Sequence, residues 1–262
     1  MTDNKREKGS SIIRVLEILE AVSNCEQPMS PTDLGHLLDI PKPTAHRLVN
    51  TLQEEGWLYT NMRGNLVPGD RFHKVALGVL YSSRYKALRR AILERLSEDI
   101  GETCGIAIPD GTEMIYYDRV EANWPLRVHL PVGSRTPVWC TASGKLYLST
   151  LPEARRRAIL KNLPLQQMSK STITEPNALE EQLITIRQSQ IGIDNEEYVD
   201  GMSAIAVPIK NEQGKLFACL FCHAPVTRKT AAQLMDHVSQ LRKAADELSD
   251  LIQSNEKNRT DH

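Results

Sequence analysis

Residues 30–56 read SPTDLGHLLDIPKPTAHRLVNTLQEEG, and this stretch decides the fold of the N-terminal part of the chain. Ser30 stands where a helix N-cap stands, Pro31 fits the first helical position, and Asp33 is a shortened version of the capping-box acid. The helix that follows has room for about two turns, with Leu34, Leu37 and Leu38 expected inward. Asp39-Ile40-Pro41-Lys42 breaks it, since proline supplies no N–H and restricts the residue before it. A further helix is expected from about Lys42 to Glu55, stopping at Gly56. Its Ala45, Leu48, Val49 and Leu52 recur at three- and four-residue spacing and make one apolar stripe. Pro43, His46, Arg47 and Asn50 line the opposite side, with Thr44 beside them.

Upstream, residues 10–24 (SSIIRVLEILEAVSN) predict an amphipathic helix whose buried stripe is Ile12, Val15, Leu16, Leu19 and Val22. Downstream, Trp57-Leu58-Tyr59-Thr60, the turn Asn61 to Asn65, and Leu66-Val67 read as a small hairpin. Helix, short helix, tight turn, helix, hairpin is the order of a winged helix-turn-helix. No acidic residue lies between Pro41 and Gln53, while Lys42, His46 and Arg47 cluster near the start of the third helix. The positive end of that helix and these donors suit phosphates and base edges. Arg63 at the hairpin tip is placed to enter a neighbouring minor groove. The candidate DNA contacts are therefore Thr32, Lys42, Pro43, Thr44, His46, Arg47, Asn50 and Arg63.

Bulk composition neither demands nor forbids this. The 262 residues carry a formal net charge of −1, and residues 1–70 hold seven Lys/Arg against ten Asp/Glu. DNA binding must then rest on where the charges sit rather than on their sum. No apolar run approaches the roughly 20 residues of a membrane span, and the polar start MTDNKREKGS is no signal peptide, so a cytoplasmic protein is expected. Five cysteines, an odd number without a secretion signal, argue against a disulfide framework.

A linking helix is expected over Asp70 to Ser83, and a longer basic helix from about Tyr85 to Ile100. Beyond Thr103 the texture changes to strands: Thr103–Pro109, Met114–Val120, Leu126–Val132, Ile191–Asp194, Ser203–Lys210 and Leu216–His223. Helices fit Ala142–Thr150, Pro152–Leu160, Asn177–Gln190 and Thr230–Gln253. The expected fold class is α+β: a winged helix-turn-helix, a linker helix, and a mixed sheet flanked by helices. The boundaries implied are 8–70 for DNA binding, 71–84 for the linker helix, 85–254 for the second domain and 255–262 for a disordered tail.

Taken together, these words make the chain similar to the IclR family of transcription regulators over nearly its whole length. Arg14-Val15-Leu16-Glu17-Ile18-Leu19 resembles the family's first helix, and Ile40 to Leu48, with Thr51-Leu52 and Gly56, its recognition segment. Thr141-Ala142-Ser143-Gly144-Lys145 resembles the family's Ala-x-Gly-Lys element. Gly192, Glu196-Glu197, Gly201-Met202 and Ile205 to Ile209 resemble its late region. The resemblance implies a GAF-like or profilin-like effector domain, homodimers or dimers of dimers, a palindromic double-stranded DNA operator, repression more often than activation, and a small organic or aromatic acid as effector. Carried over position by position, the effector candidates are Ala142, Ser143, Asp194, Ala204, Phe221 and His223. Backbone N–H groups at Ala142 and Ser143 would open a helix, which favours a carboxylate. Members that take glyoxylate carry small hydroxyl residues at the positions of Phe221 and His223, so a different acid is expected here.

Other readings are weaker. Cys219-Leu220-Phe221-Cys222-His223 spells the haem-attachment pattern but lies in an apolar strand, so buried thiols are expected and no cofactor. His129, His223 and Asp194 lack metal-ligand spacing, and no metal is expected. The alternative function is an enzyme acting on a small carboxylate through Ser143/Lys145 or Cys140/His223, for which nothing sets a base beside a nucleophile.

Overall fold

The protein is described here from a computed structural model, which describes residues 11–25, 28–72, 74–75, 86–125 and 130–260. The chain divides into two compact units, Met1–Lys86 and Ala87–His262.

The first unit runs α1 (Ser11–Asn24), α2 (Pro31–Leu37), α3 (Lys42–Glu54), β1 (Leu58–Thr60) and β2 (Leu66–Pro68). The capping box at Ser30 is complete: the Asp33 N–H donates to Ser30 Oγ at 3.2 Å, and the Ser30 N–H donates to the Asp33 carboxylate at 3.3 Å. The turn into α3 carries Asp39 in the left-handed region, with Ile40 N–H returning to the Gly35 carbonyl at 2.9 Å. β1 and β2 pair antiparallel, Tyr59 opposite Val67. Ile18, Val22, Leu34, Ala45, Leu48, Val49, Leu52, Leu58 and Leu66 form the core.

Two expectations on burial fail. Ile12 is 71% exposed and Leu16 half exposed, because α1 turns Val15, Ile18, Leu19 and Val22 inward instead. Leu37 is 62% exposed: α2 is only seven residues long, and Leu34 with Leu38 already fills its inner side. Of the linker helix expected over 71–84, only residues 71–72 and 74–75 are described, and these are helical; the remainder lies outside the described residues.

The second unit runs α4 (Lys86–Ile100), β3 (Thr103–Asp110), β4 (Glu113–Val120), β5 (Arg135–Pro137), α5 (Ala142–Thr150), α6 (Glu153–Leu160), α7 (Pro176–Ser189), β6 (Gly192–Asn195), β7 (Met202–Lys210), β8 (Leu216–Pro225), α8 (Ala231–Met235) and α9 (Val238–Thr260). One six-stranded sheet has the order β5-β4-β3-β8-β7-β6. The α+β layout stands, but every ladder is antiparallel, so the sheet is not mixed. The reason is connectivity. β3 with β4, β6 with β7, and β7 with β8 are sequential neighbours joined by short turns, which permit only antiparallel pairing. The helical excursion α5-α6-α7 instead links one edge strand, β5, to the opposite edge, β6. It crosses one face of the sheet, with α5 packed on β6, β7 and β8, while α9 packs on β7 and β8.

Other boundaries differ. Residues 126–129 of the strand expected at 126–132 lie outside the described residues, and 130–132 are not strand. β5 was not anticipated; three residues are too few for alternation to register. The helix expected over 230–253 breaks into α8 and α9, and residues 255–260, expected as a disordered tail, continue α9. Among the described residues no helix is long and apolar enough to cross a membrane.

Candidate functional site

The first candidate surface is the outer side of α3. Burying Ala45, Leu48, Val49 and Leu52 forces the intervening residues outward by helical periodicity. Lys42, Pro43, Arg47 and Asn50 are accordingly exposed, and Thr44 and His46 half-buried. Thr32 on α2 meets His46 across the turn, its Oγ1 lying 3.4 Å from His46 Nε2, which ties the two helices of the motif together on this side. The first turn of α3 holds no acidic residue and no side-chain cap. Its dipole end therefore stays positive beside Lys42 and Arg47. At the hairpin, Asn61 Oδ1 accepts from the Arg63 N–H at 2.9 Å and the Asn65 N–H at 3.1 Å, an Asx-type turn that holds exposed Arg63 at the tip. The eight predicted DNA-contact residues thus lie on one motif, seven on the helix pair and one on the wing.

The second candidate site is the face of the sheet covered by α5. Strand register draws two rungs across it. Asp194 pairs with Ala204, Ala204 with His223, and His223 with Thr103. Alongside, Gly192 pairs with Ala206, Ala206 with Phe221, Phe221 with Gly105, and Gly105 with Arg119. Four of the six predicted effector residues therefore stand on adjacent rungs. Ala142 and Ser143 open α5 above them, where Thr141 caps the helix by accepting from Gly144 N–H at 3.2 Å. The helix can sit this low because Gly192 has no side chain: a Cβ there would lie 2.0 Å from the Ala142 carbonyl oxygen. Cys219 Sγ donates to the Ser143 carbonyl at 3.4 Å.

The polar groups of this face are buried. Asp194 accepts from the Glu197 N–H at 2.8 Å and the Tyr198 N–H at 3.3 Å, yet burial pushes its carboxyl up to about 7. Nearby, fully buried Lys145 donates to Glu197 and, at 2.8 Å, to Gln182. Phe221 stacks on Tyr116 at 4.8 Å between ring centroids and on His223 at 5.9 Å. Arg119 Nη2 lies 3.3 Å from His223 Nε2. Burial first, then the Arg119 and Arg228 guanidinium charges, pull His223 down to about 3, so its ring is neutral.

Sequence reasoning missed Arg119 and Tyr116, and it named Lys145 and Glu197 as motif residues without assigning them to this site. Tyr116 and Arg119 are three apart and would face opposite ways in a regular strand. The β3–β4 register passes from Ile106–Asp118 to Ala107–Tyr116, skipping Tyr117 as a β-bulge does, and brings both to the same side. No periodicity signals that. Cys219 and Cys222 face opposite sides, Cys222 pairing in register with Cys104. Of the weighed metal residues, His129 lies outside the described residues.

Comparison with known proteins accords with both surfaces. The IclR helix-turn-helix domain profile matches residues 11–61, and the profile for the bacterial transcriptional regulator IclR C-terminal domain matches residues 79–250. The chain is 40% identical over 242 residues to "Probable transcriptional regulator SauR" of Cupriavidus necator, covering 92% of this chain and 96% of that one. It is 28% identical to the transcriptional repressor IclR of Escherichia coli, covering 91% and 88%. An IclR homologue from Microbacterium hydrocarbonoxydans, solved in complex with 4-hydroxybenzoate, is 25% identical, with a TM-score of 0.56 and coverage of 92% and 98%. That family is one of transcription regulators, which sets the enzyme alternative aside. A winged helix-turn-helix followed by an antiparallel sheet with α5 laid across it, matched by both family profiles, places this chain in the IclR family of bacterial transcription regulators.

Proposed function

We propose that the protein is a repressor that binds a palindromic operator as a homodimer or dimer of dimers. Thr32, Lys42, Pro43, Thr44, His46, Arg47 and Asn50 meet the major groove and Arg63 the flanking minor groove. Two recognition helices about 34 Å apart would read successive half-sites. A small organic or aromatic acid, held at Ala142, Ser143, Asp194, Ala204, Phe221 and His223, changes operator affinity by binding one arrangement of the dimer better than the other. The proposed boundaries are 8–70 for the DNA-binding domain, 71–84 for the linker and 85–254 for effector binding and oligomerisation.

The observation that carries the effector reading is the convergence of four strands and one helix start on two neighbouring rungs of small, aromatic and titratable side chains. A purely structural core face would have no need of Asp194 and His223 on one rung. Phe221 narrows the site and supplies an aromatic surface, which suits a flat acid.

Fluorescence anisotropy on DNA taken from just upstream of the protein's own gene tests this, with and without a panel of carboxylic acids. Saturable binding released or strengthened by one acid is the expected result. Binding that no acid alters, in full-length folded protein, overturns the effector reading. Absence of sequence-specific binding overturns the operator reading.

A further inference from the structure

We propose that Arg71 is a positioning residue for DNA recognition: it locks the first turn of the linker to the end of α3, so that linker and recognition helix move as one lever and the linker's direction sets the half-site spacing the protein accepts. The inference rests on the paired-head operator reading above and adds the joint through which that pairing works.

α3 stops at Glu54, and Gly56, at a φ of +73°, turns the chain into β1. β2 returns antiparallel with Pro68 opposite Leu58, so the chain comes back beside the end of the helix it left. A new helix opens there at Asp70. Helix ends leave backbone groups unpaired, N–H at a start and C=O at a finish. Here the two ends answer each other. The Arg71 N–H donates to the Gly56 carbonyl at 3.1 Å. Arg71 Nη1 donates to the Glu55 carboxylate at 2.7 Å and lies 3.5 Å from the Glu55 carbonyl oxygen. A guanidinium is also the charge that the negative end of α3 favours.

The joint is tight and built on backbone. The Gly69 N–H donates to the Trp57 carbonyl at 2.7 Å. A Cβ on Gly69 would stand 2.8 Å from the Trp57 carbonyl carbon, 2.9 Å from that of Gly56, and closer still to the Gly56 oxygen. Only a bare backbone brings the start of the linker this near. Side chains then close over the joint. The Arg71 guanidinium lies 5.0 Å from the centre of the Trp57 ring, the Phe72 ring meets Trp57 edge-on at 6.3 Å, and the Tyr59 hydroxyl donates to the Asp70 carboxylate at 3.3 Å. Trp57 in turn packs on the core that holds Leu48 and Leu52 of α3. A displacement of the linker's first turn therefore pulls directly on the end of the recognition helix.

The Arg71 and Glu55 side chains are 53% and 61% exposed, and exposed ion pairs add little to stability. That separates positioning from folding. Without the Arg71 side chain the head should still fold and grip one half-site, while the angle at which the linker leaves it loosens. Two linked heads help each other only when the linkage holds both at the right separation.

Fluorescence anisotropy on the full-length protein tests it with three duplexes: the operator found upstream of the protein's own gene, that operator with two base pairs inserted at its centre, and one half-site alone. Wild type is expected to prefer the native spacing over the insertion by roughly 10- to 100-fold. Arg71→Gln should cut that preference roughly threefold or more and leave the half-site affinity unchanged. Gly69→Ala, which pries the two backbones apart, should cut it at least as far. An unchanged preference in Arg71→Gln overturns the proposal while leaving the paired-head reading intact. Equal losses on half-site and operator would show that Arg71 acts within the head itself, and overturn the proposal likewise. Wild type that binds all three duplexes alike, or none of them, overturns the paired-head reading and this inference with it.

Discussion

Gly105 and Phe221 face each other across β3 and β8, so closely that a single methyl group at position 105 would collide with the Phe221 ring and with the Asp118 carbonyl 2.7 Å away. Ring and backbone leave no easy escape. Gly105→Ala should therefore cost about 1–3 kcal/mol of stability, as overpacked cores do. It should also push Phe221 off Tyr116 and weaken acid binding. Urea unfolding and calorimetry on the variant check the two effects; unaltered stability would mean that the sheet yields there at little cost.

Lys145 and Glu197 form an ion pair with side chains 0% and 6% exposed. Removing one partner strands the other in a low-dielectric interior. Lys145→Met is expected to destabilise by about 3–5 kcal/mol, and Lys145→Met/Glu197→Gln to recover a substantial part of that. Chemical denaturation of the two variants decides it. A double variant no more stable than the single one would show that Lys145 acts through packing alone.

The face that carries Asp194 and His223 should also give the protein two opposing pH dependences. Asp194 rises from the ordinary 3.8 to about 7 because it is buried. The folded state then holds a proton that the unfolded chain releases, so this group's contribution falls as pH rises from about 4 to 7 and is level above that. His223 drops from 6.5 to about 3, so its contribution is full above 6.5 and is lost as pH falls toward 3. Asp194→Asn keeps an acceptor for the Glu197 and Tyr198 N–H groups and should raise stability at pH 8. His223→Gln should flatten the acid limb below pH 6. Melting temperatures measured from pH 4 to 8 for the three proteins separate the contributions; parallel curves would contradict both assignments.

On the DNA side, Arg47 and Lys42 project from α3 as exposed cations next to a helix start without acids. If each neutralises a phosphate, Arg47→Ala and Lys42→Ala should each reduce the slope of log affinity against log salt by about 1. Binding to operator and to unrelated DNA should weaken alike. Asn50→Ala should instead weaken the operator selectively, as a base contact does. Anisotropy titrations between 50 and 300 mM salt give both quantities.

Much of this was legible in the chain because it is local. The capping box of Ser30 and Asp33, the stop at Pro41, the buried stripe of α3 and the span of α5 depend on residues within a turn or two of one another, and the helical and strand periods report them directly. Where a pattern admitted two answers, it misled. Apolar residues at 12, 13, 15, 16, 18, 19 and 22 can line either of two overlapping faces of α1, and only packing against β2 and the shared core of the unit selected Val15, Ile18, Leu19 and Val22. The order of the sheet, its antiparallel sense and the three-residue β5 depend on which strand lies beside which, a long-range choice that local propensity does not encode. The candidate effector face is the clearest case. The family resemblance placed Asp194, Ala204, Phe221 and His223, but Arg119 joined them through a skipped register at Tyr117 and a glycine on the strand between. A side chain's neighbours across a sheet are set by register, and register is a property of the assembled strands, so the meeting of Arg119 with His223 and Phe221 was settled by tertiary structure alone.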